Sequence, residues 1–240
     1  MVLAVVTGAS RGLGFENAKS LAALGYDIVM IAKDTNRLSQ AQESLQQSHP
    51  SQRFTSYVVD LEDMQATRIA VAMISQQHSA PELLILAHGV MSDKMSKTLK
   101  TNDEEWRRVM AINLDSVFTL VNGLAPAMVE ARSGRIIIYS ACLGRMSGPG
   151  NAGGLAPYRI SKAGVNALVR NLAHETGQGG RGFLVDAICP NHSRTDMGGP
   201  DAPRSAEEGA ATAIWLATRE FEAGKDQTGL FWEDQVVIPW

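Results

Sequence analysis

Short, nearly unbroken apolar runs alternate along this chain with longer stretches in which apolar positions recur every three or four residues. The runs fall at 2–7, 27–32, 54–59, 82–87, 135–140 and 183–189, with a weaker one at 229–232. Several are almost wholly Val, Ile and Leu, and a strand covered on both faces of a parallel sheet needs no polar alternation. Helical periodicity occupies 13–24, 35–47, 62–77, 103–131, 157–176 and 205–218, and Pro126 predicts a bend in the fourth. Alternation at this spacing demands right-handed crossovers. The pattern predicts one α/β domain over 1–240, a doubly wound parallel sheet of about seven strands with helices on both faces. Two loops break the rhythm, 141–156, rich in glycine, and 191–204, rich in Gly, Pro and Asp. Both follow strands, at the end of an open α/β sheet where ligands bind, and are the expected substrate loops.

Composition narrows the function. The chain has 240 residues, 45% of them hydrophobic and 20% charged, which suits one globular domain. A net charge of −3 with no basic block gives no support to nucleic-acid binding. Cys142 and Cys189 are the only cysteines, each beside an apolar run and with no CxxC. A disulfide framework or a zinc site is not expected, no metal is predicted, and a reducing compartment fits. No apolar run approaches the length of a membrane span. The apolar start, 1–6, lacks a basic leader and enters a glycine-rich turn, so it reads as a strand and not as a signal peptide. A cytoplasmic protein with no membrane contact is expected.

The first strand ends in Thr7-Gly8-Ala9-Ser10-Arg11-Gly12-Leu13-Gly14, and a helix follows at once. Glycines there permit a tight turn and let backbone approach a pyrophosphate, which then meets the positive end of the helix dipole. Residues 148–153 match GxGxxG letter for letter but lie eight residues beyond their strand, so they read as a loop. Gly8-Ala9-Ser10-Arg11-Gly12 also fits the GxSxG nucleophile elbow, which would make Ser10 the nucleophile of an α/β-hydrolase. That elbow normally follows several strands, and Gly14 would have no role in it.

A second motif is Tyr158-Arg159-Ile160-Ser161-Lys162, placed after Pro157 at the start of a predicted helix. The i, i+4 spacing puts the phenol and the ammonium on one face, where the cation is expected to lower the phenol pKa and make Tyr158 a usable acid. Together with TGxxxGxG about 150 residues upstream, this pair resembles the short-chain dehydrogenase/reductase family, over the whole chain. The tail, from Met197-Gly198-Gly199-Pro200 to Ile238-Pro239-Trp240, is similar to a carbonyl-reductase-like branch.

The resemblance implies a Rossmann fold, a homo-oligomer, NADP(H) and a small-molecule substrate. It implies a catalytic set of Tyr158, Lys162 and Asn113, the asparagine anchoring a water linked to the lysine. Thr195 matches the family's threonine near the nicotinamide, and Asp60 its adenine-contacting acid, with helix capping as a compatible second role. The implied cofactor contacts further take in Leu61, Ala87, Gly89, Pro190, Asn191 and Ser193. Arg11, Lys33 and Arg37 are cations suited to a 2′-phosphate. Asp34 lies 20 residues after Gly14, near the spacing of an acid that favours NAD, but caps the next helix more simply.

Three departures from the family pattern matter. Ala141 stands where the family's serine polarises the substrate carbonyl, and Ser140 is one residue early, on the opposite face of an extended segment. Ala87-His88-Gly89 replaces Asn-Ala-Gly, and Pro190-Asn191-His192-Ser193 replaces a Pro-Gly start. Ala141, Cys142, His88 and His192 are therefore candidate substrate-side residues. The favoured reading is a carbonyl/hydroxyl oxidoreductase. The alternative is a family member that binds NADP(H) but has lost or redirected the redox step, toward elimination, isomerisation, cyclisation or nucleotide sensing.

Overall fold

The structure is a computed structural model that describes residues 2–93, 96–148 and 153–240. Seven parallel strands and one antiparallel strand form a single sheet in the order β3-β2-β1-β4-β5-β6-β7-β8. They are β1 (Leu3–Thr7), β2 (Asp27–Ala32), β3 (Phe54–Val58), β4 (Leu83–Leu86), β5 (Arg135–Tyr139), β6 (Leu184–Ile188), β7 (Phe231–Glu233) and β8 (Val236–Val237). The chain winds outward from β1 in one direction and from β4 in the other, so a crevice opens between their C-terminal ends. The predicted doubly wound α/β sheet is what forms, with strand ends displaced by one or two residues.

Period-two burial divides the core into two layers. Val5, Val29, Leu84, Ile136 and Ile138 face one side, under α3 (Met64–Gln77), α5 (Ser116–Glu130) and α6 (Ala156–Glu175). Val6, Ile28, Met30, Ile85 and Ile137 face the other, under α1 (Gly12–Ala23), α2 (Thr35–Ser48) and α7 (Ala206–Thr218). Both faces are dry, which explains the unbroken apolar runs.

Three local expectations are corrected. The sheet has an eighth strand, because Asp234 and Gln235 both take positive φ (52° and 62°) and reverse the chain in a two-residue hairpin from β7 to β8. The segment 103–131 is interrupted not at Pro126, which lies inside α5, but at a π-helical turn, Ala111–Asp115, between α4 (Asp103–Met110) and α5. Helix α3 starts at Met64 and not at residue 62, capped by Asp63, whose carboxylate accepts from Gln65 N and Ala66 N. Asp60 therefore is not the cap; it accepts from Glu62 N in the preceding turn.

Taken as one continuous helix, Asp103–Glu130 has the length and mean hydropathy of a membrane span, contrary to the expectation that none would. Half of its most apolar window is buried. It packs against α3 and α6, as a core helix does.

Candidate active site

At the crevice the glycine loop after β1 is shaped by backbone proximity. Gly8 and Gly12 take positive φ (66° and 54°), the region L side chains disfavour. A Cβ on Gly14 would stand 2.2 Å from Gly8 O, so the turn and the first turn of α1 touch through bare backbone. The N–H groups opening α1 have no partner within the helix and point out of its positive end. Thr195 closes over this loop from the segment after β6: its Cγ2 lies 3.1 Å from the place of a Gly12 Cβ.

A cavity of about 300 Å³ runs along the crevice. Gly8, Ser10, Arg11, Gly12, Leu13 and Gly14 line its floor, Lys33, Arg37, Asp60 and Leu61 its outer end, and Ala87, His88 and Gly89 its inner end. Thr195, Asp196 and Met197 form the opposite wall.

At the outer mouth three cations and three carboxylates interleave. Arg11 pairs with Asp196, as does Arg37 at 3.2 Å, and Lys33 lies 3.8 Å from Asp60. All are half exposed or more, so the pairs are weak and can exchange for another anion. Burial and the like charge of Arg37 together lower the Arg11 pKa, the mark of cations held close. Asp34 caps α2 as expected, accepting from Arg37 N at 2.9 Å.

Beyond the inner end lies the tyrosine–lysine pair that the resemblance implies. Pro157 lies in the first turn of α6, and Tyr158 and Lys162 are both buried one turn apart. Lys162 Nζ lies 5.9 Å from the Tyr158 ring centre and donates to Tyr139 O at 2.7 Å. Burial lowers its pKa to about 8. The expected effect on the phenol is reversed here: burial first, and then the negative charge that Cys189 and Cys142 carry as thiolates, raise the Tyr158 pKa above its ordinary value. Desolvation is the largest cause.

Asn113 sits in the π turn, where its side chain bridges the segment after β4 and helix α6. Its Oδ1 accepts from Val90 N at 2.8 Å, and its Nδ2 donates to Val90 O and to Ser161 Oγ. A Cβ on Gly89 would lie 3.3 Å from Asn113 Oδ1 and 3.5 Å from Lys162 Nζ. The bare glycine is what brings the inner end of the cavity against both groups.

Other predicted residues fall elsewhere. Tyr158, Lys162, Pro190, Asn191 and Ser193 do not line the cavity. Asn191 takes φ +58°, which explains how it stands in for a glycine, since asparagine best tolerates that region. Its Nδ2 is buried without a partner among the described residues. Ser193 Oγ donates to Pro190 O.

His192 is exposed and bonded through Nε2 to Gly198 O. His88 is built into the sheet end and not directed at Tyr158. Ser116 spends its hydroxyl proton on Ile112 O, so His88 Nε2 donates to Ser116 Oγ (2.8 Å) and Nδ1 accepts from Thr7 Oγ1 (2.6 Å). Burial lowers its pKa to about 3, keeping the ring neutral.

Neither neighbour replaces the missing serine. Ala141 packs with Val109 and Tyr158 in a small apolar cluster. Ser140 points the other way, donating to Asn166 Oδ1 at 2.5 Å.

The GxGxxG match at 148–153 lies largely outside the described residues. Sequence reasoning missed one cluster altogether. Cys142, Cys189 and Glu233 converge beyond the strand ends.

A model of the family described as short chain dehydrogenase matches residues 2–206. The chain belongs to this family. It is 31% identical over 195 residues to the 3-oxoacyl-(acyl-carrier-protein) reductase FabG of Escherichia coli, covering 81% of this chain and 75% of that one. The Pseudomonas aeruginosa enzyme of the same name is 32% identical over 206 residues, covering 85% and 79%. Among solved structures, a metagenomic short-chain oxidoreductase in complex with NADP is 27% identical, with a TM-score of 0.77 over 91% of each chain. A short chain dehydrogenase/reductase family protein is 25% identical, with a TM-score of 0.79 over 96% of this chain and 94% of that one. Family membership removes the hydrolase alternative: Ser10 is part of a glycine loop, not a nucleophile elbow.

Proposed function

We propose that the chain is an NADP(H)-dependent oxidoreductase that interconverts a carbonyl and a hydroxyl on a small organic or specialised-metabolite substrate. The observation that carries this reading is the cavity itself. A bare-backbone glycine loop and a helix N-terminus lie at its floor, three exchangeable cations at its mouth, and the tyrosine–lysine pair beyond its inner end. These features fit a nucleotide. Gly8, Ser10, Arg11, Gly12, Leu13 and Gly14 would hold its pyrophosphate, and Lys33, Arg37 and Arg11 a 2′-phosphate. Asp60, Leu61, Ala87 and Gly89 would flank the adenosine and ribose, and Lys162, Pro190, Asn191, Ser193 and Thr195 the nicotinamide end. The unpartnered Asn191 Nδ2 is a donor awaiting an acceptor there.

When bound, the nucleotide supplies or accepts a hydride. Tyr158 holds the proton that accompanies it, donating its phenol O–H to the carbonyl oxygen in the reductive direction. Lys162, with a pKa of about 8, stays mostly cationic at neutral pH and would stabilise the phenolate left when that proton has gone. Asn113 fixes the 89–90 backbone against them. We further propose a cytoplasmic homo-oligomer, as in the family the chain belongs to.

Ala141 favours a second reading, in which the redox step is redirected, because neither Ser140 nor His88 supplies the absent hydroxyl. NADPH oxidation with a panel of ketones, quinones and aldehydes separates the two. The oxidoreductase reading expects turnover that Tyr158→Phe abolishes while NADPH binding persists. Tyr158→Phe with most of its turnover left assigns the proton to another residue, and no turnover with any carbonyl favours the second reading.

A further inference from the structure

Three adjacent strands, β5, β6 and β7, each deliver one potential metal ligand just past or at their ends. Cys142 opens the 3-10 turn after β5, Cys189 follows β6, and Glu233 closes β7. Cys142 Sγ lies 2.7 Å from Cys189 Sγ and 2.6 Å from Glu233 Oε2. The three ligand atoms all lie within 4.8 Å of one another. Both cysteines of the chain are used, although 47 positions separate them.

We propose that Cys142, Cys189 and Glu233 form a binding site for a thiophilic divalent cation of the zinc type. Two sulfurs and one carboxylate oxygen give three protein ligands, leaving a fourth position for water or a substrate donor atom. Thiolate ligands select such a cation over magnesium or calcium.

Hydrogen bonds already draw the three groups together: Cys189 Sγ accepts from the Cys142 thiol and from Cys142 N (3.1 Å), and Glu233 Oε2 lies within reach of the same thiol.

Geometry requires only a small opening. Zinc–sulfur bonds of about 2.3 Å in a tetrahedron set the sulfurs roughly 3.7 Å apart. The sulfurs must therefore part by about 1 Å, and the half-buried Cys142, on a single 3-10 turn, is the one able to turn away. Binding the cation between two thiolates releases the thiol protons to solvent. None of the three ligands lines the nucleotide cavity, so the site stands whether or not the proposed reaction does.

Chelator-washed, reduced full-length protein titrated anaerobically with cadmium(II) alone tests this. The expected result is one cadmium per chain, an ultraviolet thiolate-to-cadmium absorption that saturates at that ratio, and protection of both thiols from an aromatic disulfide reagent. Cys142→Ala and Cys189→Ala should each abolish the two-thiolate absorption, with circular dichroism confirming that the fold persists. Glu233→Gln should keep the absorption but weaken binding by about tenfold or more. Excess cadmium that leaves both thiols freely titratable and produces no absorption overturns the proposal. So does cadmium binding undiminished in Cys142→Ala. A protein purified without reductant that lacks free thiols, and whose mass is short by two hydrogens until reductant restores them, would make the pair a disulfide and also overturn it.

Discussion

Beyond β5, Ala141 puts a methyl group where the family resemblance implies a serine hydroxyl. Ala141 touches Tyr158 and Val109 and is almost wholly buried, so the extra oxygen of Ala141→Ser would enter the small cluster around the phenol. If the native chemistry is carbonyl reduction, that donor should raise turnover of a simple ketone, with an upper bound of about 10²–10³-fold. NADPH oxidation by parent and variant gives the answer, and an unchanged rate would mean that no carbonyl at this site needs the donor. Much of the site at this scale was legible, for a reason that also marks the limit. Tyr158 and Lys162 are brought together by four residues of helix, a spacing written in the sequence. His88 is fixed by Thr7 and Ser116, 81 and 28 positions away, and Cys142 by Cys189 and Glu233, so only the folded chain shows what they touch. The phenol pKa departs from the motif's expectation for a related reason: the spacing shows the lysine's charge but not the burial that raises the phenol.

Elements were legible wherever a periodic pattern ran for five residues or more, and less so where geometry rests on one or two. β8 is two residues long and follows an Asp-Gln turn, without the Gly that usually announces such a hairpin. The π turn carries no sequence sign of its own, whereas Pro126 carries a strong one and fits inside α5. The β1–α1 connection makes a sharp demand on sequence. Gly14→Ala would drive a methyl to 2.2 Å from Gly8 O, so α1 must shift from β1 or the loop must open. Loss of NADPH binding together with a lowered melting temperature is expected, and a variant that binds and melts like the parent would show that the loop can absorb a side chain. At the β2–α2 connection, Lys33→Ala should weaken NADPH far more than NADH, since only the former carries the 2′-phosphate. Paired fluorescence titrations of the two nucleotides check this. Equal weakening would move the phosphate contact elsewhere, and equal affinities in the parent would remove the NADP(H) preference.

For the whole molecule, buried titratable groups tie stability to pH in a way their positions determine. His88 binds its proton only near pH 3 in the folded state but near 6.5 once unfolded, so the unfolded chain takes up more protons between those values. Stability from this group is complete above about pH 6.5 and is lost as pH falls toward 3. Asp186 acts in the opposite sense. Burial beneath β7 raises its pKa to about 6 despite bonds from Leu230 N, Trp232 Nε1 and Thr228 Oγ1, so the folded state holds the extra proton between about 3.8 and 6. Acidification through that window therefore adds stability, on the order of 2–3 kcal/mol, and largely cancels the histidine's loss. Asp186→Asn removes the titration while leaving an amide oxygen to accept from Leu230 N and Trp232 Nε1. Whatever its urea stability at pH 7, where Arg219 loses its buried partner, that stability should fall faster than the parent's as pH drops from 6.5 to 4. Other carboxylates titrate equally in both proteins and drop out of the difference. Parallel curves across that range would mean that Asp186 is ionised in the fold well below pH 6, with Arg219, 3.6 Å away, holding its charge.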